Sequence, residues 1–182
     1  MKFVIDANAS RFTVQAFAAG LLSSFGHNPT IGIRGFSGEM ECEQETYNNA
    51  RVHVTVQTGA MEVLDEMKSD DRRNLEKEMN ETILEVSRFP EASFDSKRIA
   101  IEKLGADLLR ARVDGDLTFH GTTGTLSFDA RVTSVANTLR ISGEFPLRQS
   151  EYGIKPFSAA GGTLKLKDEL KFSFELVARK QD

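Results

Sequence analysis

Over most of its length this chain alternates apolar and polar residues with a period of two, and no other feature narrows its fold as far. Phe12, Val14 and Ala16 share one side of a segment whose other side carries Arg11, Thr13 and Gln15, the repeat of a strand with one buried face. Val52, Val54 and Val56 repeat it against His53 and Thr55, and Val113, Leu117 and Phe119 against Arg112, Asp114, Asp116, Thr118 and His120. Further apolar rows run through Leu126, Phe128, Ala130 and Val132, through Leu139, Ile141, Phe145 and Leu147, through Leu164 and Leu166, and through Phe172, Phe174 and Leu176. Gly121-Thr122-Thr123-Gly124, Ala136-Asn137-Thr138 and Lys167-Asp168-Glu169 separate neighbouring rows by a few polar residues, as hairpin connections do. The pattern predicts an antiparallel meander. An open sheet of seven or more such strands would expose its hydrophobic face and two unpaired edges, so closure into a barrel or stacking into a sandwich is expected. A barrel of about eight strands is filled by its own side chains or holds one small ligand.

One stretch breaks the alternation. From Glu62 to Glu91, 15 of 30 residues are charged, while Leu75, Met79, Ile83 and Val86 recur at three- and four-residue spacing. That predicts one amphipathic helix over about residues 70–86. Ser69-Asp70-Asp71 offers an N-cap and charges that suit the helix dipole, and Pro90 pushes Phe89 out of helical geometry. A short second helix fits the stretch from Ala16 to Ser24. No linker rich in Pro, Gly or Ser and no internal repeat divides the chain, so residues 1–182 are read as a single domain.

A chain of 182 residues can bury about 70% of its unfolded surface without staples. One cysteine, Cys42, excludes a disulfide or zinc-thiolate scaffold. Thirteen Phe against two Tyr and no Trp suit a dry interior or an apolar pocket. A net charge of -4, a pI near 5.5 and basic residues interleaved with acids argue against nucleic-acid binding and against long-range attraction to an anionic membrane. No span of about 18 apolar residues occurs, so no transmembrane helix is expected. Met1-Lys2-Phe3-Val4-Ile5 meets Asp6 before an apolar stretch of export-signal length forms. A cytoplasmic location is therefore expected for the chain as numbered, and a periplasmic one if the amino terminus replaced a leader.

Residues able to carry chemistry are few. His27, His53 and His120 lie on separate segments without metal-ligand spacing, so no metal site and no cofactor are expected. His120 falls on the polar phase of its strand, directly before the Gly121 turn, and is read as solvated or singly hydrogen-bonded. His27 lies in an irregular segment, Gly26-His27-Asn28-Pro29, where an imidazole can fix the loop or meet a ligand. Ser23, Ser24, His27 and Asp6 lack a nucleophile elbow, and the acids around Cys42 in Glu39-Met40-Glu41-Cys42-Glu43 disfavour its thiolate. No catalytic residue is assigned. The glycines Gly32, Gly35, Gly161 and Gly162 precede no helix and read as bulges or bends rather than a phosphate cradle.

The order of several motifs resembles the YceI-like family, also called polyisoprenoid-binding. They are Ile5-Asp6-Ala7-Asn8-Ala9-Ser10-Arg11-Phe12-Thr13-Val14, Gly35-Phe36-Ser37-Gly38, Phe89-Pro90-Glu91-Ala92-Ser93-Phe94-Asp95-Ser96, Gly115-Asp116-Leu117-Thr118-Phe119-His120-Gly121-Thr122-Thr123, and Gly143-Glu144-Phe145-Pro146-Leu147-Arg148 leading to Tyr152-Gly153-Ile154. The resemblance spans nearly the whole chain. It implies a mainly β protein, an extended lipocalin-like antiparallel barrel holding the isoprenoid tail of a lipid, a quinone or a related amphiphile; many relatives are exported, and several are tied to stress or quinone metabolism. Two motifs depart: the family's His-Ser pair is Ala9-Ser10 here, and its Arg-Asp-x-His-Leu segment is Lys68-Ser69-Asp70-Asp71-Arg72-Arg73-Asn74-Leu75.

Non-catalytic binding of a long apolar ligand, a polyisoprenoid, isoprenoid quinone or similar lipid, is the leading expectation. Its candidate lining is Phe12, Val14, Val113, Leu117, Phe119, Phe128, Ile141, Phe145, Phe172 and Phe174, with Arg11, Arg148, Lys155 and His27 as head-group candidates. The alternatives are an isomerase or hydrolase acting on a hydrophobic small molecule with His27 as acid or base, and a structural or stress-response protein with a side-chain-filled barrel. Edge strands and the amphipathic helix make a homodimer reasonable.

Overall fold

A ring of antiparallel strands carries the fold. The computed structural model describes residues 1–19, 28–43, 47–159 and 164–181. In chain order its strands are β1 (Lys2–Ile5), β2 (Arg11–Gln15), β3 (Ala18–Ala19), β4 (Thr30–Ile33), β5 (Phe36–Glu41), β6 (Arg51–Gln57), β7 (Met61–Val63), β8 (Glu91–Lys103), β9 (Leu108–Phe119), β10 (Thr122–Val135), β11 (Thr138–Arg148), β12 (Ser158–Ala159), β13 (Leu164–Leu166) and β14 (Glu169–Gln181). The helix α1 (Ser69–Glu78) falls between β7 and β8. Pairing runs β1-β5-β6-β8-β9-β10-β11-β14, and β14 returns to β1, which closes eight strands into a barrel. Closure resolves the choice between barrel and sandwich, because it removes the edges an open sheet would expose.

β2, β4 and β7 prolong three of those strands. β14 pairs with β1 through Lys2↔Gln181 to Ile5↔Ala178 and with β2 through Arg11↔Glu175 to Gln15↔Lys171. Between β1 and β2 the chain makes a 3-10 turn, Ala7–Ala9, in which the Asp6 carboxylate accepts from the Ala9 amide at 3.2 Å. Ser10 then stitches the break to β14: its hydroxyl donates to the Asp6 carbonyl at 2.6 Å and accepts from the Val177 amide at 2.9 Å. β4–β7 and β5–β6 repeat the arrangement on the other side of β1 and β2. β3, β12 and β13 form a separate three-stranded sheet.

The helix expected over about residues 70–86 is present over 69–83: after Glu78 it widens into a π-helical turn, Met79–Ile83, before Glu85 reverses the chain at φ 44°. Three finer expectations are corrected. Ser69 occupies the first helical turn instead of capping it, and Lys68 in the cap position makes no side-chain bond. The β9–β10 turn is His120-Gly121, not Gly121 to Gly124. Both residues are left-handed (φ 50° and 74°), as a two-residue turn matched to strand twist requires, and Thr122 to Gly124 pair with Phe119 to Leu117. The short helix expected from Ala16 to Ser24 begins instead as strand β3, paired with Lys165 and Leu166, and residues 20–24 lie outside the described ones.

The barrel has two unlike ends. At the helix end α1, the β9–β10 turn, the 3-10 turn Gln149–Tyr152 and the small sheet gather. At the hairpin end lie β1's start, the β8–β9 and β10–β11 hairpins and the end of β14.

Candidate functional site

The inward rows do not fill the barrel. They leave a cavity of about 290 Å³, lined from Met40, Cys42 and Tyr47 at the hairpin end to Leu75, Met79, Gln149 and Leu166 at the helix end. The ten residues proposed as lining, Phe12, Val14, Val113, Leu117, Phe119, Phe128, Ile141, Phe145, Phe172 and Phe174, are all brought to this one space. Alternation achieves that directly: once the ring closes, every second side chain of each strand points to the same axis.

A belt of phenylalanines crosses the middle. Phe145 and Phe172 stack face to face with centroids 5.0 Å apart, and Phe128 lies 5.4 Å from Phe145 and 5.7 Å from Phe174. Phe12 reaches Phe36 edge-on at 5.8 Å, and Phe94 lies 5.7 Å from Phe128. Glycines make room for two of these rings. A Cβ at Gly143 would stand 2.6 Å from Phe174 Cζ, and one at Gly115 would stand 2.5 Å from Phe94 Cζ. Those contacts are far inside van der Waals range, so the missing side chains are what lets the rings lie against the wall.

Polar groups reach the lining chiefly near the ends. At the hairpin end Glu41 and Arg51, cross-strand partners on β5 and β6, border the cavity, and the Tyr47 hydroxyl pairs with Ser134 Oγ at 2.7 Å across the mouth. Cys42 is half-buried there, and burial pushes its thiol pKa up, which keeps it protonated. At the helix end Gln149 is buried, its amide donating to the Lys167 carbonyl at 3.1 Å. Sequence reasoning missed Phe36, Phe94, Met79, Leu84, Glu41, Arg51, Tyr47 and Gln149 as lining. The alternation through β5 and β8 was a signal for Phe36 and Phe94; Tyr47 and Gln149 sit in turns, where no period exists to find them.

Arg11, Arg148 and Lys155 are exposed and do not line the cavity. His27 lies outside the described residues. His53 points outward on β6, its Nδ1 2.7 Å from Asp95 Oδ1. Of the two readings of His120, solvated or singly hydrogen-bonded, the first is corrected and the second stands: its side chain is 9% exposed, its Nδ1 lies 3.3 Å from the Tyr152 carbonyl, its ring packs on Phe89 with centroids 4.2 Å apart, and Nε2 lies 3.2 Å from Glu85 Oε2. The left-handed turn swings that side chain off the polar phase of β9 and under the segment that follows the helix. Arg88, bonded to Glu85 at 2.6 Å, is the main cause holding the Glu85 carboxyl below the usual range, and His120 adds to it.

The outer wall is the inverse of the interior. Ion pairs such as Lys97–Asp116 at 2.6 Å and Lys171–Glu144 at 2.7 Å cover it, unlike the apolar band of a membrane barrel. No helix among the described residues is long and apolar enough to cross a membrane.

Residues 3–178 match the sequence model of the YceI-like domain. Among solved structures, BcnA of Burkholderia cenocepacia superposes with a TM-score of 0.73 at 16% identity, over 95% of this chain and 98% of that one. A polyisoprenoid-binding domain from Saccharophagus degradans, implicated in plant cell wall breakdown, gives 0.72 at 12% identity over 98% of both chains. The YceI protein of Campylobacter jejuni gives 0.65 at 16% identity, over 86% of this chain and 88% of that one. At such identities the likeness is one of fold. No curated protein shows significant similarity to the chain.

Proposed function

The chain belongs to the YceI-like family, and from that premise we propose that its barrel binds, without transforming it, a long apolar ligand of isoprenoid or comparable lipid character. The observation that carries the proposal is the cavity inside the barrel: about 290 Å³, walled almost wholly by apolar atoms, with lining residues from both ends of the barrel. That volume is at the lower edge of the ~300–1,000 Å³ typical of ligand pockets, and its apolar wall suits a hydrocarbon tail. Removing about 200 Å² of tail from water at about 25 cal/mol per Å² gains about 5 kcal/mol before the cost of immobilisation, with no reactive group needed. The S. degradans neighbour, a polyisoprenoid-binding domain, supports the same ligand class.

Binding without chemistry fits the lining. The described lining residues include no histidine, and the one thiol, Cys42, is held in its unreactive protonated form. Glu41 and Arg51, exposed at the rim of the hairpin end, border the cavity, whereas Arg11, Arg148 and Lys155 do not, so a polar head is better met there.

Displacement of an apolar fluorescent probe by a polyprenol tests the proposal. Wild-type protein is expected to take up the probe and release it to the polyprenol. Ala130→Phe, which places a ring in the cavity from a buried inward position, is expected to weaken both by tenfold or more while the barrel stays folded. Equal uptake by both proteins would show that the probe sits elsewhere.

A further inference from the structure

The hairpin end carries a surface that tail binding does not use. Val135 and Leu104 are the most exposed large apolar side chains among the described residues, at 61% and 49%. Each stands at a hairpin tip, Leu104 directly after β8 and Val135 at the end of β10, and the two tips are joined by the Ser134 amide donating to the Asp107 carbonyl at 3.0 Å. Bases scattered along the sequence converge around them. Arg110 and Arg131 are direct cross-strand partners, and Arg140, opposite Thr133, lies diagonal to Arg131. Lys103 precedes Leu104, and the Lys180 amide donates to the Asn137 carbonyl beside the Val135 tip at 2.8 Å.

The charges here are unbalanced locally. Arg110 is paired with Asp129 at 3.3 Å, whereas Lys103, Arg131, Arg140 and Lys180 make no ion pair among the described residues. The acids of this sector are Glu102, Asp107 and Asp129; Glu39, Glu41 and Glu43 lie across the mouth, on β5 and just after it. Arg110 is balanced within the fold by Asp129 and by Glu102 opposite it on β8, which leaves Arg131 and Arg140 as the cations of the wall free to meet an external anion. The overall charge of -4 hides this sector.

We infer that the Leu104 and Val135 tips, with Lys103, Arg131, Arg140 and Lys180, form a docking surface for an anionic lipid bilayer. Exposed apolar tips enter the interfacial region while the surrounding cations meet lipid phosphates, each side chain too short to anchor alone. The docked sector borders the end of the cavity lined by Glu41, Cys42 and Arg51, which gives a tail a short path between membrane and barrel; that last point alone rests on the tail-binding proposal.

Co-sedimentation with vesicles tests the surface: phosphatidylcholine alone against equal parts phosphatidylcholine and phosphatidylglycerol. Binding to the anionic vesicles only, weakening as salt is raised, is expected. Arg131→Gln with Arg140→Gln, and separately Leu104→Asp with Val135→Asp, are each expected to lower the affinity about tenfold or more. Lys77→Gln, which removes an exposed cation on α1 at the opposite end of the barrel, is expected to leave it unchanged. Equal binding to both vesicle types, wild-type binding by the paired variants, or an equal loss with Lys77→Gln would overturn the inference. Probe displacement in free solution reads tail binding separately, so either result can fail without the other.

Discussion

A single methyl group at position 143 is enough to disturb the interior. Gly143 lies opposite Phe174, and an added Cβ meets both that ring and the Asp129 carbonyl, at 2.6 and 2.8 Å. The ring can swing only into the cavity, and the backbone oxygen cannot move at all without shifting β10. Gly143→Ala is expected to cost about 2 kcal/mol, read as a lowered melting temperature, and to weaken probe uptake in parallel. A wild-type melt for this variant would mean that the ring is not held against the wall. At the helix end, Asp168 accepts from the Ser150 hydroxyl at 2.6 Å and from its amide at 2.8 Å, and these bonds hold its carboxyl below the usual range. A depressed folded pKa stabilises above the ordinary carboxylate value of about 3.9, and that stabilisation is lost as pH falls through the folded value. Asp168→Asn is therefore expected to melt below wild type at neutral pH, with the gap closing in strong acid; a gap independent of pH would contradict this role for the carboxylate. At this scale the sequence was informative where a period existed. Phe12, Phe128 and Phe174 were placed inward by phase alone, whereas His120 was misplaced because one left-handed residue breaks the phase at the turn.

Among the elements, the β9–β10 hairpin shows most clearly how a turn holds the helix end together. His120 and Gly121 both adopt positive φ, and a Cβ at Gly121 would stand 2.6 Å from Phe89 Cε1, in the segment that leads from the helix into β8. Gly121→Ala is expected to lose about 2 kcal/mol, from the left-handed penalty and the displaced ring together. Hydrogen exchange is expected to quicken at the β9–β10 turn and around Phe89 more than at the hairpin end; a uniform change along the barrel would contradict a local role. The helix itself was legible from its charge density and its spacing of Leu75, Met79 and Ile83. Its end was not, because the π-helical turn and the reversal at Glu85 are set by packing of Met79, Ile83 and Leu84 over the barrel. The kinks that join β1 to β2 and β4 to β5 were equally hidden, since Ser10 acts through Val177, far away in sequence.

On the scale of the whole molecule, two-residue alternation is a local property and closure is not. The rows required a covered hydrophobic face, and a barrel and a sandwich both satisfy that requirement. What closes the ring is the pairing of β1 with β14, the first strand with the last, and no local pattern encodes it. Alternation then turns the phenylalanine excess into a tube with apolar walls and charged outer surfaces, and the glycines opposite the rings keep the tube from filling. Under the proposed function, this apolar wall with its central aromatic belt is what lets a tail bind by burial alone. The most direct measurement is a native mass spectrum of the intact protein after incubation with a polyprenol, beside Ala130→Phe as the blocked control. Tail binding predicts one polyprenol adduct on the 20.2 kDa wild-type chain and none on the folded variant. A wild-type chain that stays bare at saturating polyprenol, or a variant that binds equally well, would contradict it.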